Sequence, residues 1–288
     1  TIPTSGCPPW QPDQARTSPR LGAPTPRRGT LSANADEIGV TLTRFPAIDR
    51  KTDFGPTLQD EFGQGRGIDP PRRSPGDICC SLSHVRVWQR LIESEAPGAI
   101  VLEDDAKLDS AFTRFLGKWF RETMVRHGIG CAKLEYIPTT HSLKFRPLGR
   151  FVCDLPEAGA VRLYLLKGSF IGAGAYYISR NAAEDVLRDH SHLRVPVDHF
   201  LFNRSVNTGF KTVRPGFVTP APVLHDLLDV PSDLDGQRGP HRDQCYLSDK
   251  PSIMGTALRK LKQEFHGLQR VVHKVTGARK IDVEFSGD

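Results

Sequence analysis

Four consecutive apolar residues, Ala99-Ile-Val-Leu102, run straight into three acids, Glu103-Asp104-Asp105. An apolar run that short suits a strand buried on both faces, in the interior of a sheet flanked by helices. Adjacent carboxylates repel one another, so they need a hard divalent cation, basic neighbours or full solvation. In open α/β sheets, ligands gather outside the C-terminal ends of strands. Placed there, a Glu-Asp-Asp triplet can hold Mg²⁺ or Mn²⁺ through one or two carboxylates while diphosphate oxygens take the cation's other positions. The triplet alone is equally compatible with a solvated acidic turn in which an Asp caps the next helix.

The surroundings of this run alternate between helical and extended patterns. Ile78, Leu82, Val85, Trp88 and Leu91-Ile92 recur at helical spacing and predict a helix over 78–93. A further helix is expected over 110–127, and strands over 161–166 and 170–178. Ser179 stands as N-cap before a helix over 181–187, and residues 211–218 read as a last strand. Ahead of the acids, 31–39 predicts a short helix stopped by Gly39, and 40–48 a strand. Residues 49–76, rich in Gly, Pro and charge, read as a long surface loop of the kind that covers a site. Strands alternating with helices predict an α/β fold with a mostly parallel sheet.

Both ends of the chain differ from this middle part. Residues 1–30 hold seven prolines and predict an extended or disordered lead before a main domain over 31–250. From Met254 to Val275, apolar residues recur three and four apart, and from Ile253 to Lys280 seven Lys/Arg stand against one acid. Residues 251–288 therefore read as a basic amphipathic helix and tail. It either lies on an anionic membrane surface or packs on the domain with its basic face in water. The chain's net charge of +6 is concentrated there, which argues against a general nucleic-acid-binding surface. No stretch approaches the ~20 apolar residues of a membrane span. The six cysteines form no Cys-x-x-Cys pair, and adjacent Cys79-Cys80 is poor disulfide geometry, so reduced thiols and a cytoplasmic location are expected.

Several ordered motifs surround the acids. Gly76-Asp-Ile-Cys-Cys-Ser-Leu-Ser-His84, then Trp88, then Ala99 to Asp105, resemble glycosyltransferase family 25, the lipooligosaccharide and collagen galactosyltransferases. That family's pattern is Gly-Glu-Ile-Gly-Cys-x-Leu-Ser-His, a helix, then apolar-Leu-Glu-Asp-Asp. Phe45-Pro-Ala-Ile-Asp49, Gly172-Ala-Gly-Ala-Tyr-Tyr-Ile-Ser-Arg180 with Ala183 and Leu187, Pro196-Val-Asp198 and Pro231-Ser-Asp-Leu234 match further motifs in order, so the resemblance covers about residues 31–240. Asp77 and Cys79 stand where the family has Glu and Gly. The family's opening apolar strand has no counterpart in residues 1–30, whose prolines argue against a central strand.

The resemblance implies a GT-A-like (Rossmann-like) nucleotide-sugar-binding fold, and a UDP-sugar donor carrying galactose or glucose. It also implies inversion at the anomeric carbon and a saccharide or glycolipid acceptor in lipopolysaccharide or lipooligosaccharide biosynthesis. It makes Asp105 a ligand for Mn²⁺ or Mg²⁺, with Glu103 and Asp104 available to ribose or metal and His225 a late metal ligand or a surface-loop histidine. Ser83 and His84 become contacts to diphosphate or sugar, although a helical histidine also serves as a structural hydrogen-bonder. Gly172 and Gly174 allow close backbone approach to a ligand or mark a tight bend. Asp198 is the leading general base, with a helix cap as its alternative role. Trp88 is expected in the core. Two other classes share these features: a glycan- or nucleotide-binding protein of this fold without turnover, and a metal-dependent phosphoryl or nucleotidyl transferase. The second lacks the Gly-x-x-x-x-Gly-Lys phosphate loop here.

Overall fold

A computed structural model describes residues 26–49, 53, 75–138, 146–188, 195–206, 209–225 and 277–287. The first helix, α1 (Pro26–Glu37), starts on a proline, whose missing N–H costs nothing in a first turn. Residues 26–30, expected to be extended, are therefore helical, and the rest of the Pro-rich lead lies outside the described residues. Gly39 ends the helix at φ +71°, and the Val40 N–H donates back to Ala35 O at 2.8 Å. No strand follows over 40–48. Only Val40 and Ile48 of that stretch are buried, and Pro46 has no amide to give to a ladder.

The helix α2 (Pro75–Glu93) buries Ile78, Leu82, Val85, Trp88 and Leu91, as their spacing predicts. Next come β1 (Gly98–Leu102) and β2 (Ala106–Leu108). The helix expected over 110–127 is two pieces: a 3-10 helix, Ser110–Leu116, and α3 (Lys118–Arg126). Between them Gly117 takes extended backbone, and a Cβ there would stand 2.6 Å from the Trp119 ring. Then follow β3 (Cys131–Lys133), β4 (Glu135–Tyr136), β5 (Leu148–Leu155), β6 (Val161–Leu166) and β7 (Ala175–Ser179). The strand expected over 170–178 thus begins only at Ala175, after Gly172 at φ +112° has turned the chain. Ser179 Oγ accepts from Ala182 N at 3.2 Å and starts α4 (Arg180–Arg188). Two short helices come next, α5 (Val197–Phe202) and α6 (Gly209–Val213). The stretch expected as one strand over 211–218 is split by Arg214 at φ +47° and Pro215, so that β8 covers only Gly216–Thr219. The last strands are β9 (Val223–His225) and β10 (Ala278–Lys280).

Seven strands form one sheet in the order β1-β7-β3-β8-β6-β5-β10. In this sheet, among the described residues, only β3 and β8 run parallel, and the other five pairings are antiparallel. The expected mostly parallel sheet is thus a mixed, mainly antiparallel one. β5 and β6 connect through a short 3-10 turn closed by Gly159 at φ +89°, the kind of link only antiparallel neighbours allow. β7 enters between β1 and β3, antiparallel to both. Among the described residues β1 lies at the edge of the sheet, and only Val101 of it is buried, which corrects the expectation that it lies buried on both faces.

One face of the sheet packs Tyr176, Ile178, Cys131 and Phe217 against Trp88 of α2, Ala183 of α4 and Phe200 and Phe202 of α5. The other packs Ala175, Tyr177, Leu163 and Val218 against Phe112, Phe115, Phe120 and Met124, with Ala35 of α1. Tyr176 and Tyr177 thus serve opposite faces, as the period of two requires. A second sheet, β2-β9-β4, stands beside the first. The helix expected from Met254 to Val275 and the Pro231 to Leu234 motif lie outside the described residues, as does most of the 49–76 loop. The segment after them returns as β10 beside β5, at the far end of the large sheet among the described residues. No helix among the described residues is long and apolar enough to cross a membrane.

Candidate functional site

The acids sit where the chain leaves the large sheet for the small one. The Glu103 N–H donates to Gly174 O at 2.8 Å, one step beyond the Leu102–Ala175 pair, and Ala106 N donates back to Glu103 O at 3.2 Å. That turn swings Asp105 to the start of β2. In the small sheet Ala106 pairs with His225, and β4 lies parallel to β9 on its other side. The register therefore brings Asp105, His225 and Glu135 together from positions far apart in sequence.

A buried chain of ionic groups results. Lys133 Nζ lies 2.6 Å from Glu135 Oε1, both side chains being fully buried. Glu135 Oε2 lies 3.2 Å from His225 Nδ1, and His225 Nε2 lies 3.2 Å from Asp105 Oδ2. Lys133 also donates to the carbonyls of Phe170 (2.9 Å), Ile171 (3.1 Å) and Gly172 (2.8 Å), and stands over the Phe170 and Phe202 rings. Burial pulls the Lys133 pKa down, with Glu135 working against it. Burial would raise the Glu135 carboxyl, but Lys133 and His225 outweigh it and hold the pKa at about 2. For His225 burial disfavours the imidazolium, yet the Asp105 and Glu135 carboxylates push its pKa up to about 10.

Ligand atoms of Glu103, Asp105 and His225 all lie within 4.8 Å of one another. Asp105 Oδ1 is buried and has no hydrogen-bond partner among the described residues, an arrangement that asks for a further electropositive group. Two carboxylates and one imidazole make a donor set suited to Mn²⁺ or Mg²⁺, and the residues present fit such an ion. A cation would take the place of the His225 Nε2 proton, since only neutral imidazole ligates. A second group, Cys80, His84 and Glu103, is within the same span but contains a softer thiol.

Residues 21–201, well over half of the chain, match the family model described as glycosyltransferase family 25 (LPS biosynthesis protein). The chain belongs to glycosyltransferase family 25. It is 33% identical over 94 residues to a glycosyltransferase 25 family member of Aedes aegypti, covering 31% of this chain and 15% of that protein. It is 29% identical over 181 residues to procollagen galactosyltransferase 2 of Mus musculus, covering 60% of this chain and 26% of that protein. The chain thus spans only a minor part of the length of these relatives.

The other predicted residues of this family-25 chain divide into those at the ionic cluster and those beside it. His84 reaches it: Nε2 is 3.2 Å from Glu103 Oε1, and Nδ1 is 2.8 Å from Tyr176 OH. Trp88 Nε1 donates to the same hydroxyl at 3.0 Å, and a carboxylate oxygen can only accept, so the His84 Nε2–H goes to Glu103. His84 thereby aims Glu103. Gly174 is needed because a Cβ there would stand 2.6 Å from Glu135 Oε2 and 2.8 Å from His225 Nδ1. At Gly172 a Cβ would meet Ile137 at 2.7 Å and Glu135 Oε1 at 2.9 Å. Both glycines therefore admit the ionic chain itself.

Ser83 is not brought to the cluster by any of its hydrogen bonds among the described residues. Its Oγ donates to Cys79 O at 2.7 Å and accepts from Ile48 N at 2.9 Å, pinning the 40–49 segment to α2. Asp104 is exposed. Asp198, in the first turn of α5, is half-buried, and its Oδ1 accepts from His199 N at 2.8 Å. Its charge acts on Lys133, at the opposite end of the ionic chain from Asp105. The sequence reading missed Lys133, Glu135 and Tyr176. The available signal was the Lys133-Leu-Glu135 alternation, two opposite charges on one side of an otherwise apolar extended segment.

Proposed function

We propose that the chain is a metal-assisted, inverting glycosyltransferase that moves galactose or glucose from a UDP-sugar to a saccharide acceptor. The observation that carries this reading is the Glu103, Asp105 and His225 cluster, with a buried Asp105 oxygen that lacks a partner among the described residues, at the C-terminal end of β1 in a family-25 chain. Those three residues would hold Mn²⁺ or Mg²⁺, which supplies charge neutralisation for the departing diphosphate. The chain's own residues do the rest. His84 fixes the Glu103 carboxylate, and Glu135, clamped by Lys133, fixes the His225 ring. Burial of this array excludes water and keeps its charges strong. Inversion requires a base opposite the leaving group to take the acceptor hydroxyl's proton, and Asp198 is the proposed base.

The outer sugars of a surface glycolipid are the proposed acceptor, in keeping with the description of the matching family. The test is thermal shift against UDP-galactose, UDP-glucose and UDP-N-acetylglucosamine, with and without Mn²⁺, followed by a turnover assay on any donor that stabilises. Mn²⁺-dependent stabilisation by a UDP-hexose is expected. Stabilisation by no UDP-sugar in either condition would refute the reading.

A further inference from the structure

A cleft of about 770 Å³ lies beside the ionic chain, within the range of about 300–1,000 Å³ typical of small-molecule sites. Tyr136 and Ile137, the end of β4 and the residue after it, form part of its lining together with Ile171. One wall is the C-terminal segment. Ala221 N donates to Glu284 O at 2.7 Å, Ser286 N to Ala221 O at 3.0 Å, and Glu284 N to Thr219 Oγ1 at 3.1 Å. Ser286 Oγ donates to Asp109 Oδ1 at 2.9 Å. These four bonds hold Phe285 nearly parallel to Tyr136, with ring centroids 6.4 Å apart and planes 23° from each other. Both residues are half-buried, so part of each faces the opening.

The charge of the lining narrows what fits. Asp282 is ion-paired with Arg146, which leaves Asp109 and Glu284 against the one guanidinium of the lining, Arg114, which donates to Ala158 O at 3.1 Å, so among the described residues the lining is net negative by one charge. Such a surface repels a diphosphate, whereas carboxylates accept hydroxyl hydrogens and aromatic faces cover the apolar C–H face of a pyranose. The cleft also meets the ionic chain: a Cβ on Gly172 would touch Ile137 and Glu135 Oε1 together, and Ile171 O accepts from Lys133. A molecule in the cleft therefore ends close to the array that leads to Asp105 and His225.

We propose that this cleft binds an uncharged saccharide as the acceptor, with Tyr136 and Phe285 as its stacking surface and the C-terminal segment as an integral wall. The proposal rests on the glycosyl-transfer reading for the word acceptor, but the saccharide site itself is tested separately. The probe is an array of immobilised neutral oligosaccharides incubated with the full chain, with and without Mn²⁺ and UDP. Tyr136→Ala, Phe285→Ala and the exposed Glu284→Gln are compared with the native protein, each checked by its thermal melt, and Mn²⁺-dependent UDP affinity is measured in parallel by calorimetry. The native chain is expected to capture at least one neutral glycan. The two aromatic variants should lose about ten-fold in that affinity and Glu284→Gln a smaller part, with UDP affinity unchanged in all three. Capture of no neutral glycan by the native chain overturns the proposal, as does equal capture by folded variants. A parallel fall in UDP affinity overturns it too, since the nucleotide would then occupy the cleft. Should an aromatic variant fail to fold, equal capture by Glu284→Gln and the native chain is the overturning result. Absence of UDP binding by the native protein, with glycan capture intact, would instead remove the glycosyl-transfer reading and leave the saccharide site standing.

Discussion

Replacing Lys133 with methionine removes a fully buried ammonium while keeping most of the side chain's volume. Two consequences follow from its contacts. Glu135 keeps its charge but loses a partner at 2.6 Å, and breaking one side of a buried ion pair costs about 3–5 kcal/mol. The carbonyls of Phe170, Ile171 and Gly172 lose their shared donor. Ile171 is exposed and Gly172 half-buried, so water can replace the bond at those two, and only the Phe170 carbonyl adds to the cost, by about 1 kcal/mol. A total of about 4–6 kcal/mol is a large part of the roughly 5–15 kcal/mol that holds a domain together. It should lower Tm by about 10–15 °C. Urea denaturation of Lys133→Met, Glu135→Gln and the double variant checks this. The double variant should be less destabilised than the sum of the singles, because it leaves no unpaired charge. A loss below about 1 kcal/mol in Lys133→Met, or strict additivity in the double variant, would refute the reasoning.

Asp198→Asn should bind UDP-sugar like the native protein and turn over about 10²–10⁴-fold more slowly, as read by calorimetry and single-turnover kinetics; full turnover in the variant places the base elsewhere. Gly174→Ala forces a methyl to within 2.6 Å of Glu135 Oε2, so it should cost about 1–3 kcal/mol in urea denaturation and weaken Mn²⁺ binding. Glu135 has its pKa depressed from 4.5 to about 2 in the folded state. Its pairing therefore stabilises the fold fully above pH 4.5 and is lost as pH falls through about 2. Denaturation curves across that window should show a smaller acid dependence in Glu135→Gln than in the native chain.

What the sequence revealed and what it hid follow from the range of the forces involved. α2 and α4 were legible because helical burial is local: Trp88 falls on the apolar stripe of α2, and Ser179 caps α4 through its own neighbour Ala182. Strand direction was not legible, because alternation of strands and helices says nothing about where a strand enters, and β7 enters between β1 and β3. The same non-locality misled the reading of Ala99 to Leu102, whose apolar run serves a strand that lies, among the described residues, at the edge of the sheet. The split of 211–218 turned on Arg214 and Pro215, where backbone conformation overrode apolar pattern. At the candidate site the acidic triplet announced itself by adjacency alone. His225 lies 120 residues from Asp105 and pointed to it only through the family resemblance. Lys133 and Glu135 stayed hidden because a pair that neutralises itself in the core leaves no mark in composition.

Titration calorimetry of UDP into the native chain and Asp105→Asn, each with and without Mn²⁺, tests the central claim most directly. Asp105 carries the buried oxygen that has no partner among the described residues and contacts His225, so its carboxylate should bridge protein and cation. The account predicts that native UDP binding depends on Mn²⁺ and that the variant, still folded by its thermal melt, loses most of that dependence. Equal Mn²⁺-dependent UDP affinity in the two proteins would contradict it.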